Sequence, residues 1–174
     1  HSVDTGTVPA RYRSSVPKQY QQYIPLNKQF TFAFNGELNW GKGLRGKPFP
    51  VFKNSFSGGL GSVRGFEASS LGPLDETTKT ALGGAKKITL NAEFITPFPG
   101  AGNDKSLRLY AFLDAGNVYG ANDPFLLSEI RASTGVGVSW ISPIGPLRLA
   151  YAKPIKSFTG DKIQKVQFQI GTAF

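Results

Sequence analysis

The last residues of the chain, Lys165-Val-Gln-Phe-Gln-Ile-Gly-Thr-Ala-Phe174, alternate without a break between two kinds of side chain. One parity is mainly apolar: Val166, Phe168, Ile170, Thr172 and Phe174. The other parity is polar or small: Lys165, Gln167, Gln169, Gly171 and Ala173. Because successive residues of a strand point to opposite faces, this pattern predicts a strand with one apolar side and one wet side. An aromatic residue at the free carboxyl end is typical of the strand that closes a transmembrane β-barrel.

The same alternation recurs along the chain. Five further segments carry it: Phe30–Trp40, Ile88–Ile95, Leu107–Asp114, Ile130–Trp140 and Leu147–Ala152. A poorer candidate covers about Tyr12–Ile24 and is interrupted by Pro17. Segments of about ten residues match the length of a tilted strand that crosses a bilayer. We therefore predict an all-β fold, an antiparallel transmembrane β-barrel portion of about seven strands.

A soluble β-sandwich is the alternative, because it also alternates apolar and polar residues. In both folds, the positions that alternate with the apolar residues include charged ones: Glu37, Glu93, Arg108, Asp114, Arg131 and Arg148. Strand length and aromatic residues near strand ends favour the barrel: Phe30, Trp40, Tyr119, Trp140, Tyr151 and Phe174. Parity then predicts a lipid-facing set, Phe32, Leu109, Val136 and Phe168. It also predicts a lumen-facing set, Asn35, Arg108, Ser133 and Gln167.

Composition excludes several chemistries. The chain has 174 residues with no cysteine and no methionine, and its one histidine is His1. Disulfides, thiol chemistry and Cys-ligated zinc are therefore excluded. No serine, histidine and acid constellation is visible, and no apolar run approaches the roughly 20 residues of a membrane helix. We expect no enzyme activity, no cofactor and no metal.

The net charge of +9 and the isoelectric point of about 9.9 suggest an anionic partner. Nucleic acid is the first candidate for such a charge. The lysines and arginines are scattered, however, and no helix presents them as a stripe. Basic loops and a basic lumen near anionic lipid headgroups explain the charge more simply. We expect membrane lipid, and no nucleic acid, as a partner.

One long segment, about residues 44–84, separates two predicted strands and is rich in Gly, Pro, Ser and Lys. Such a segment is usually functional or disordered. Within it, Gly58-Gly-Leu-Gly-Ser-Val-Arg-Gly-Phe66 places Arg64 among several glycines. The residues alone leave two readings open: a solvated loop arginine, or a loop folded into the barrel. In the second reading Arg64 needs a carboxylate, and the lumen-parity candidates are Glu93 and Asp114.

Several motifs together resemble the C-terminal barrel of the BamA family of bacterial outer-membrane assembly factors. The motifs follow the family's order: 61–66 (GSVRGF), 70–73 (SLGP), 91–97 (NAEFITP), 112–118 (FLDAGNV), 139–147 (SWISPIGPL) and 171–174 (GTAF). The resemblance runs from about Tyr20 to the end. It implies the outer membrane of a Gram-negative bacterium and a parent protein that folds and inserts other outer-membrane barrels. Its implied partners are unfolded outer-membrane clients, membrane lipid and, through periplasmic domains, other assembly subunits.

The resemblance also implies a division of the chain. Residues 1–174 would be the C-terminal part of a barrel domain, with the long loop at about 44–84 and with the periplasmic domains and N-terminal strands absent. Two alternatives remain open. One is a two-partner secretion transporter of the same superfamily, and the other is a passive porin-like channel whose lumen the loop narrows.

Two groups of site residues follow from the resemblance. The first, called the loop lock here, joins the tip of the family's long sixth extracellular loop to acidic wall residues: Val63, Arg64, Gly65, Phe66, Glu93 and Asp114. In it, Arg64 would pair with Asp114 and lie near Glu93. The second, called the gate group, belongs to a last strand that is kinked near a glycine and forms a weak seam: Phe168, Ile170, Gly171 and Phe174.

Overall fold

A computed structural model describes residues 12–14, 18–43, 49–102 and 105–171 of the chain. These residues form ten strands: β1 Tyr12–Ser14, β2 Lys18–Pro25, β3 Thr31–Gly43, β4 Gly65–Phe66, β5 Lys86–Pro97, β6 Leu107–Tyr119, β7 Arg131–Ser142, β8 Gly145–Lys156, β9 Ile163–Gln164 and β10 Val166–Ile170. Two short 3₁₀ turns cover Val51–Lys53 and Leu127–Glu129. Within the described ranges, no helix has the length and apolarity to cross a bilayer. The predicted residues Pro17, Thr172, Ala173 and Phe174 lie outside the described residues, as do 44–48 of the long segment.

The main sheet is an antiparallel meander of eight strands. Its order is β1-β3-β5-β6-β7-β8-β10, and β2 also pairs with β3. The predicted all-β antiparallel class is therefore confirmed, and the predicted segments correspond to β2, β3, β5, β6, β7, β8 and β10. Among the described residues, β2 and β10 each pair with one strand only, so the sheet is open at both edges.

Several strands run beyond their alternating stretches. β6 continues past Asp114 to Tyr119, and β8 continues past Ala152 to Lys156. Small and polar residues break the alternation of side-chain type there, but the backbone still pairs with β5 and β7. The register between β7 and β8 shifts once, between Ala132 and Ser133, where a bulge accommodates an extra residue in β8.

Side-chain exposure follows the predicted parity. Phe168 is 60% exposed, whereas its neighbour Gln167 is 4% exposed. In the same way Val136 projects from the outer face of β7, and Ser133 is buried on the opposite face. Four members of the predicted sets are less extreme, and of these Phe32 and Asn35 are half-buried. Leu109 is half-buried, and Arg108 is exposed near the turn that precedes β6.

The long segment covers the inner face of the sheet rather than running free in solvent. Val63, Phe66 and Leu71 are fully buried and form one cluster. Isolated bridges fold the segment onto itself: Ser55↔Gly84, Ser57↔Leu71 and Leu74↔Ala81. The core of the described residues thus lies between a loop and a sheet, and the loop takes the place of a second layer.

A small turn at Asp75 shapes the outer part of this loop. One carboxylate oxygen of Asp75 accepts hydrogen bonds from the backbone N–H groups of Thr77 and Thr78 and from the Thr78 hydroxyl. The backbone N–H of Thr78, followed by its hydroxyl and the N–H of Thr77, lowers the pKa of Asp75 below its ordinary value. The charged carboxylate therefore fixes this turn at neutral pH.

The assignment of the outward face can be tested with one added charge. In the full-length protein, Val136→Arg places a cation in the middle of β7 on the face predicted to contact lipid. We expect a loss of about 2–4 kcal/mol in the free energy of unfolding, the range for arginine near the bilayer midplane. Denaturant titration in lipid vesicles measures this. The matched control is Gln19→Arg, which adds the same charge opposite Glu37 on the other face. Equal losses for the two variants would contradict the assignment of faces.

Candidate functional site

Arg64 lies beneath the long loop and is 1% exposed. Its Nε donates a hydrogen bond to Oδ2 of Asp114 at 2.6 Å, and its Nη2 donates to Oδ1 at 2.6 Å. The backbone N–H of Arg64 donates to Oδ2 of the same carboxylate at 3.0 Å. A guanidinium and a carboxylate joined by two parallel hydrogen bonds form a strong and directional pair. The third bond also fixes the backbone of the loop at this residue.

Glu93 is the second carboxylate at the guanidinium. It accepts a hydrogen bond from Nη1 of Arg64. It also accepts from Nη2 of Arg148, at 3.2 Å and 3.4 Å to its two oxygens. The four side chains form a continuous chain, Asp114–Arg64–Glu93–Arg148, in which two positive charges balance two negative charges. This balance reduces the cost of enclosing charged groups away from water.

Asp114 is fully buried and needs every hydrogen bond it receives. Asn91 donates to its Oδ1 at 2.9 Å and also donates to the carbonyl of Ser62 at 2.6 Å. Burial by itself lowers the pKa of Arg64, but hydrogen bonds and the charge of Asp114, with a further contribution from Glu93, raise that pKa above its ordinary value. The guanidinium therefore stays protonated at every physiological pH.

Two aromatic rings form the floor under the guanidinium. The Cζ atom of Arg64 lies 3.7 Å from the ring centroid of Phe112 and 5.7 Å from that of Tyr110. Arg148 lies over the other side of the site, with its Cζ 4.8 Å from the Tyr110 ring. Cations over aromatic faces gain electrostatic attraction, which increases when water is excluded.

The rings fit because the neighbouring strands carry almost no side chains there. A Cβ atom built on Gly137 would lie 2.3 Å from Cζ of Tyr110, and one on Gly135 would lie 2.8 Å from Cζ of Phe112. On β8 the matching positions are alanines, Ala150 and Ala152, both fully buried. Glycines inside a strand mark such close approaches.

The tip of the loop packs against the same patch of small residues. Gly65 has a φ of +89°, a left-handed conformation that favours glycine. Its Cα is so close to the sheet that an added Cβ would lie 3.1 Å from the Cβ of Ala152. Val63 and Phe66 flank the arginine and are fully buried. The structure thus brings the six residues of the loop lock together at one place.

The gate group lies apart from the loop lock. Phe168 and Ile170 project from the outer face of β10 and are both 60% exposed. Gly171 follows the strand with a φ of +85°. Phe174 lies outside the described residues. Among the described members, no side chain of the gate group contacts Arg64 or its carboxylates.

Besides the floor rings Tyr110 and Phe112, three polar residues of the site were missed in the sequence: Asn91, Arg148 and Gln167. Gln167 belongs to β10 and hydrogen-bonds to the backbone of the loop tip. All three have the inward parity, which was the available signal. Parity indicates the face of a sheet, but it does not indicate which residues of that face meet.

The described residues contain no group of three or more His, Cys, Asp or Glu side chains that could hold a metal ion. The site is instead a closed set of ion pairs and amide contacts. It can fasten a loop to a wall, and it presents no exposed nucleophile beside a base.

Comparison with known proteins gives a consistent set of matches. The Omp85 superfamily domain matches residues 12–174. The outer membrane protein assembly factor BamA of Neisseria meningitidis serogroup B is 39% identical over 87% of this chain. The human sorting and assembly machinery component 50 homolog is 35% identical over 87% of the chain.

A solved structure agrees with these relatives. The crystal structure of BamA from Haemophilus ducreyi lacking POTRA domains 1-3 superposes with a TM-score of 0.77 at 33% identity, and it covers 87% of this chain and 33% of that chain. The chain spans 23% of the length of the meningococcal relative and 36% of the human one.

The ion pair can be tested by a double-mutant cycle in the full-length protein. Arg64→Ala and Asp114→Ala should each cost about 3–5 kcal/mol in the free energy of unfolding, since each leaves a buried charge without its partner. The double variant should be no worse than the poorer single variant, because the two residues act as one unit. Denaturant titration of the refolded protein gives the values.

The control for this cycle is Lys162→Ala. Lys162 and Glu67 form an exposed pair at 4.0 Å in the same region, and its loss should change stability by less than about 1 kcal/mol. Fully additive losses for Arg64 and Asp114 would contradict the coupling.

The floor of the site gives a separate prediction. Gly137→Ala should displace Tyr110 and destabilise the protein by about 1–3 kcal/mol, the usual range for overpacking. Gly61→Ala is the control, because no atom lies within 4 Å of an added Cβ at that loop glycine. Tyrosine fluorescence and denaturant titration report the two effects. A Gly137→Ala variant as stable as Gly61→Ala would show that the rings are loosely held.

Proposed function

The chain belongs to the Omp85 superfamily, and we propose that its residues 1–174 are the C-terminal part of the barrel domain of an outer-membrane protein assembly factor. Such a factor folds and inserts β-barrel proteins into the outer membrane of a Gram-negative bacterium. The likeness of most of the chain to relatives named for assembly carries this proposal. No observation on the described residues favours the two-partner secretion transporter or the passive porin-like channel.

The mechanism is physical rather than covalent. Strand β10 pairs with β8 through Val166–Ile170, and its other edge is unpaired among the described residues. Unpaired N–H and C=O groups on a strand edge are a template for another strand. An unfolded outer-membrane client would add to this edge by β-augmentation. Local mismatch between the barrel and the bilayer would lower the barrier to its insertion.

The loop lock would brace the wall of strands β5 to β8, next to this edge. Arg64 is bonded to β6 through Asp114 and to β5 through Glu93, and Glu93 is in turn bonded to β8 through Arg148. Arg64 therefore fastens the loop to two strands, and the pair of Glu93 with Arg148 extends the connection to a third. A wall fixed in this way keeps its curvature while the seam opens and closes.

The gate group would act at the seam and at the membrane interface. Phe168 and Ile170 have the exposure of lipid-facing residues, and Gly171 has the backbone freedom for a bend at the strand end. Phe174 would anchor the strand end at the interface. The partners proposed are unfolded clients, membrane lipid and the other assembly subunits, which would bind through periplasmic domains. Neither catalysis nor a cofactor has a part in this mechanism.

Reconstitution of the full-length protein tests the function. Vesicles that carry it should fold an added outer-membrane barrel client, measured by heat-modifiable migration and protease protection. Arg64→Ala should slow this folding severalfold, because the braced wall is lost, whereas Lys162→Ala should fold the client at the normal rate. Transport of one passenger without client folding would indicate secretion instead. Ion conductance alone would indicate a porin-like channel.

A further inference from the structure

The side chain of Gln167 holds the tip of the loop. It is 4% exposed, although it lies on β10 at the edge of the sheet. Its Nε2 donates a hydrogen bond to the carbonyl of Phe66 at 2.6 Å, and its Oε1 accepts one from the N–H of Gly65 at 3.4 Å. One amide thus binds the loop backbone with both of its ends, as a neighbouring strand would.

The segment before β10 is bound to the same part of the loop. Strand β9 pairs with β4, with Gly65 opposite Gln164 and Phe66 opposite Ile163. The N–H of Glu67 donates to the carbonyl of Lys162 at 2.9 Å. The loop tip therefore runs beside the chain that leads into the last strand, and Gln167 continues this contact into the strand itself.

The same loop residues belong to the loop lock. Arg64 is fixed to Asp114 by its side chain and its own N–H, and the next two residues are those that Gln167 binds. A displacement of Arg64 would therefore move the two backbone groups that the buried amide needs. If the loop left, Gln167 would keep its inward parity but lose both of its hydrogen bonds to the loop.

Apart from the hydrogen bonds of Gln167, β10 is held mainly by its backbone. Its backbone pairs with β8, and the N–H of Ala152 donates to the carbonyl of Lys165 at 2.7 Å. Gln169 has the same parity as Gln167 but is only partly buried. Within the described residues, Gln167 is the one side chain of β10 that hydrogen-bonds to the loop.

We propose that Gln167 is a positioning residue that couples the loop lock to the last strand, so that the state of the Arg64 contact sets how firmly β10 is held. The coupling works in both directions, because a free energy that links two sites is reciprocal. This inference deepens the proposed function and rests on it for the meaning of β10 as a gate. Its physical content is the stability of one strand, which can be measured without any client.

Hydrogen exchange on the full-length protein in lipid vesicles tests the coupling. Protection of the β10 amides is compared in four proteins: wild type, Arg64→Ala, Gln167→Leu and the double variant. Arg64→Ala should lower protection severalfold in the wild-type background. Gln167→Leu should lower it to a similar level, and Arg64→Ala should add little in that background. Gln169→Leu is the control and should leave protection within the error of wild type.

A second variant distinguishes coupling from simple space filling. Gln167→Glu keeps the size of the side chain but replaces the donor to Phe66 with a carboxylate oxygen. The protonated acid can still donate to that carbonyl, so protection of β10 should be near wild type below the pKa of the acid and fall as pH rises through it. Protection factors remove the intrinsic pH dependence of exchange, and Gln169→Glu should show no such step. This variant also serves if Gln167→Leu fails to fold.

The outcomes separate the inference from the proposed function. Equal effects of Arg64→Ala in the wild-type and Gln167→Leu backgrounds would overturn the coupling, and so would a pH-independent Gln167→Glu. Coupling without client folding by the wild-type protein would keep the inference and overturn the proposed function. If the wild-type protein folds the client but Arg64→Ala leaves the protection of β10 unchanged, the proposed function stands and the inference is overturned.

Discussion

The rest of the structure depends on the burial of one guanidinium. A charged group with 1% exposure must have its hydrogen bonds supplied by the protein. For Arg64 the acceptors are the carboxylates of Asp114 and Glu93, which lie on two paired strands of the sheet. The guanidinium reaches both only if the loop crosses the inner face at the level of these two residues. Buried ion pairs add little net stability compared with apolar packing, but losing one partner is costly. The contact therefore selects one loop conformation, and apolar residues such as Phe66 and Leu71 supply the favourable burial.

The sequence predicts which face of the sheet each strand residue occupies. It does not predict which residues of neighbouring strands lie at the same level along the strands. Alternation placed Glu93, Asp114 and Gln167 on one face, because a strand has a period of two. Their mutual positions follow from register, and register is a property of paired strands. Asp114 lies opposite Asn91, and Glu93 opposite Phe112, so the two carboxylates are diagonal neighbours on adjacent strands. Arg148 reaches the same place from β8. No spacing within one strand could have predicted that meeting.

The glycines of β7 are a signal in the sequence from which the floor of the site could have been predicted. Gly135 and Gly137 occupy the inward parity of β7, where a lumen-facing strand would usually carry polar side chains. Their register partners on β6 are Phe112 and Tyr110. An aromatic residue opposite a glycine indicates that the ring lies across the neighbouring strand. A search for such pairs could have predicted the floor of the site once the register was known. The close approach of Gly65 to Ala152, in contrast, is a tertiary contact of the loop that strand register does not predict.

The forces at the two ends of this arrangement differ in kind. At Arg64 they are ionic and the guanidinium is buried, so partial opening would leave charged groups without their partners. At β10, among the described residues, they are backbone pairs with β8 and the neutral amide of Gln167, whose hydrogen bonds are individually weaker than those between charged groups. Loss of the Gln167 contact alone therefore costs less than loss of the Arg64 contact. Losing Arg64 also moves the backbone that the amide holds, so it affects both contacts. The coupling free energy is the same in both directions, but the two contacts differ in strength, so the molecule can have a loose seam beside a rigid wall.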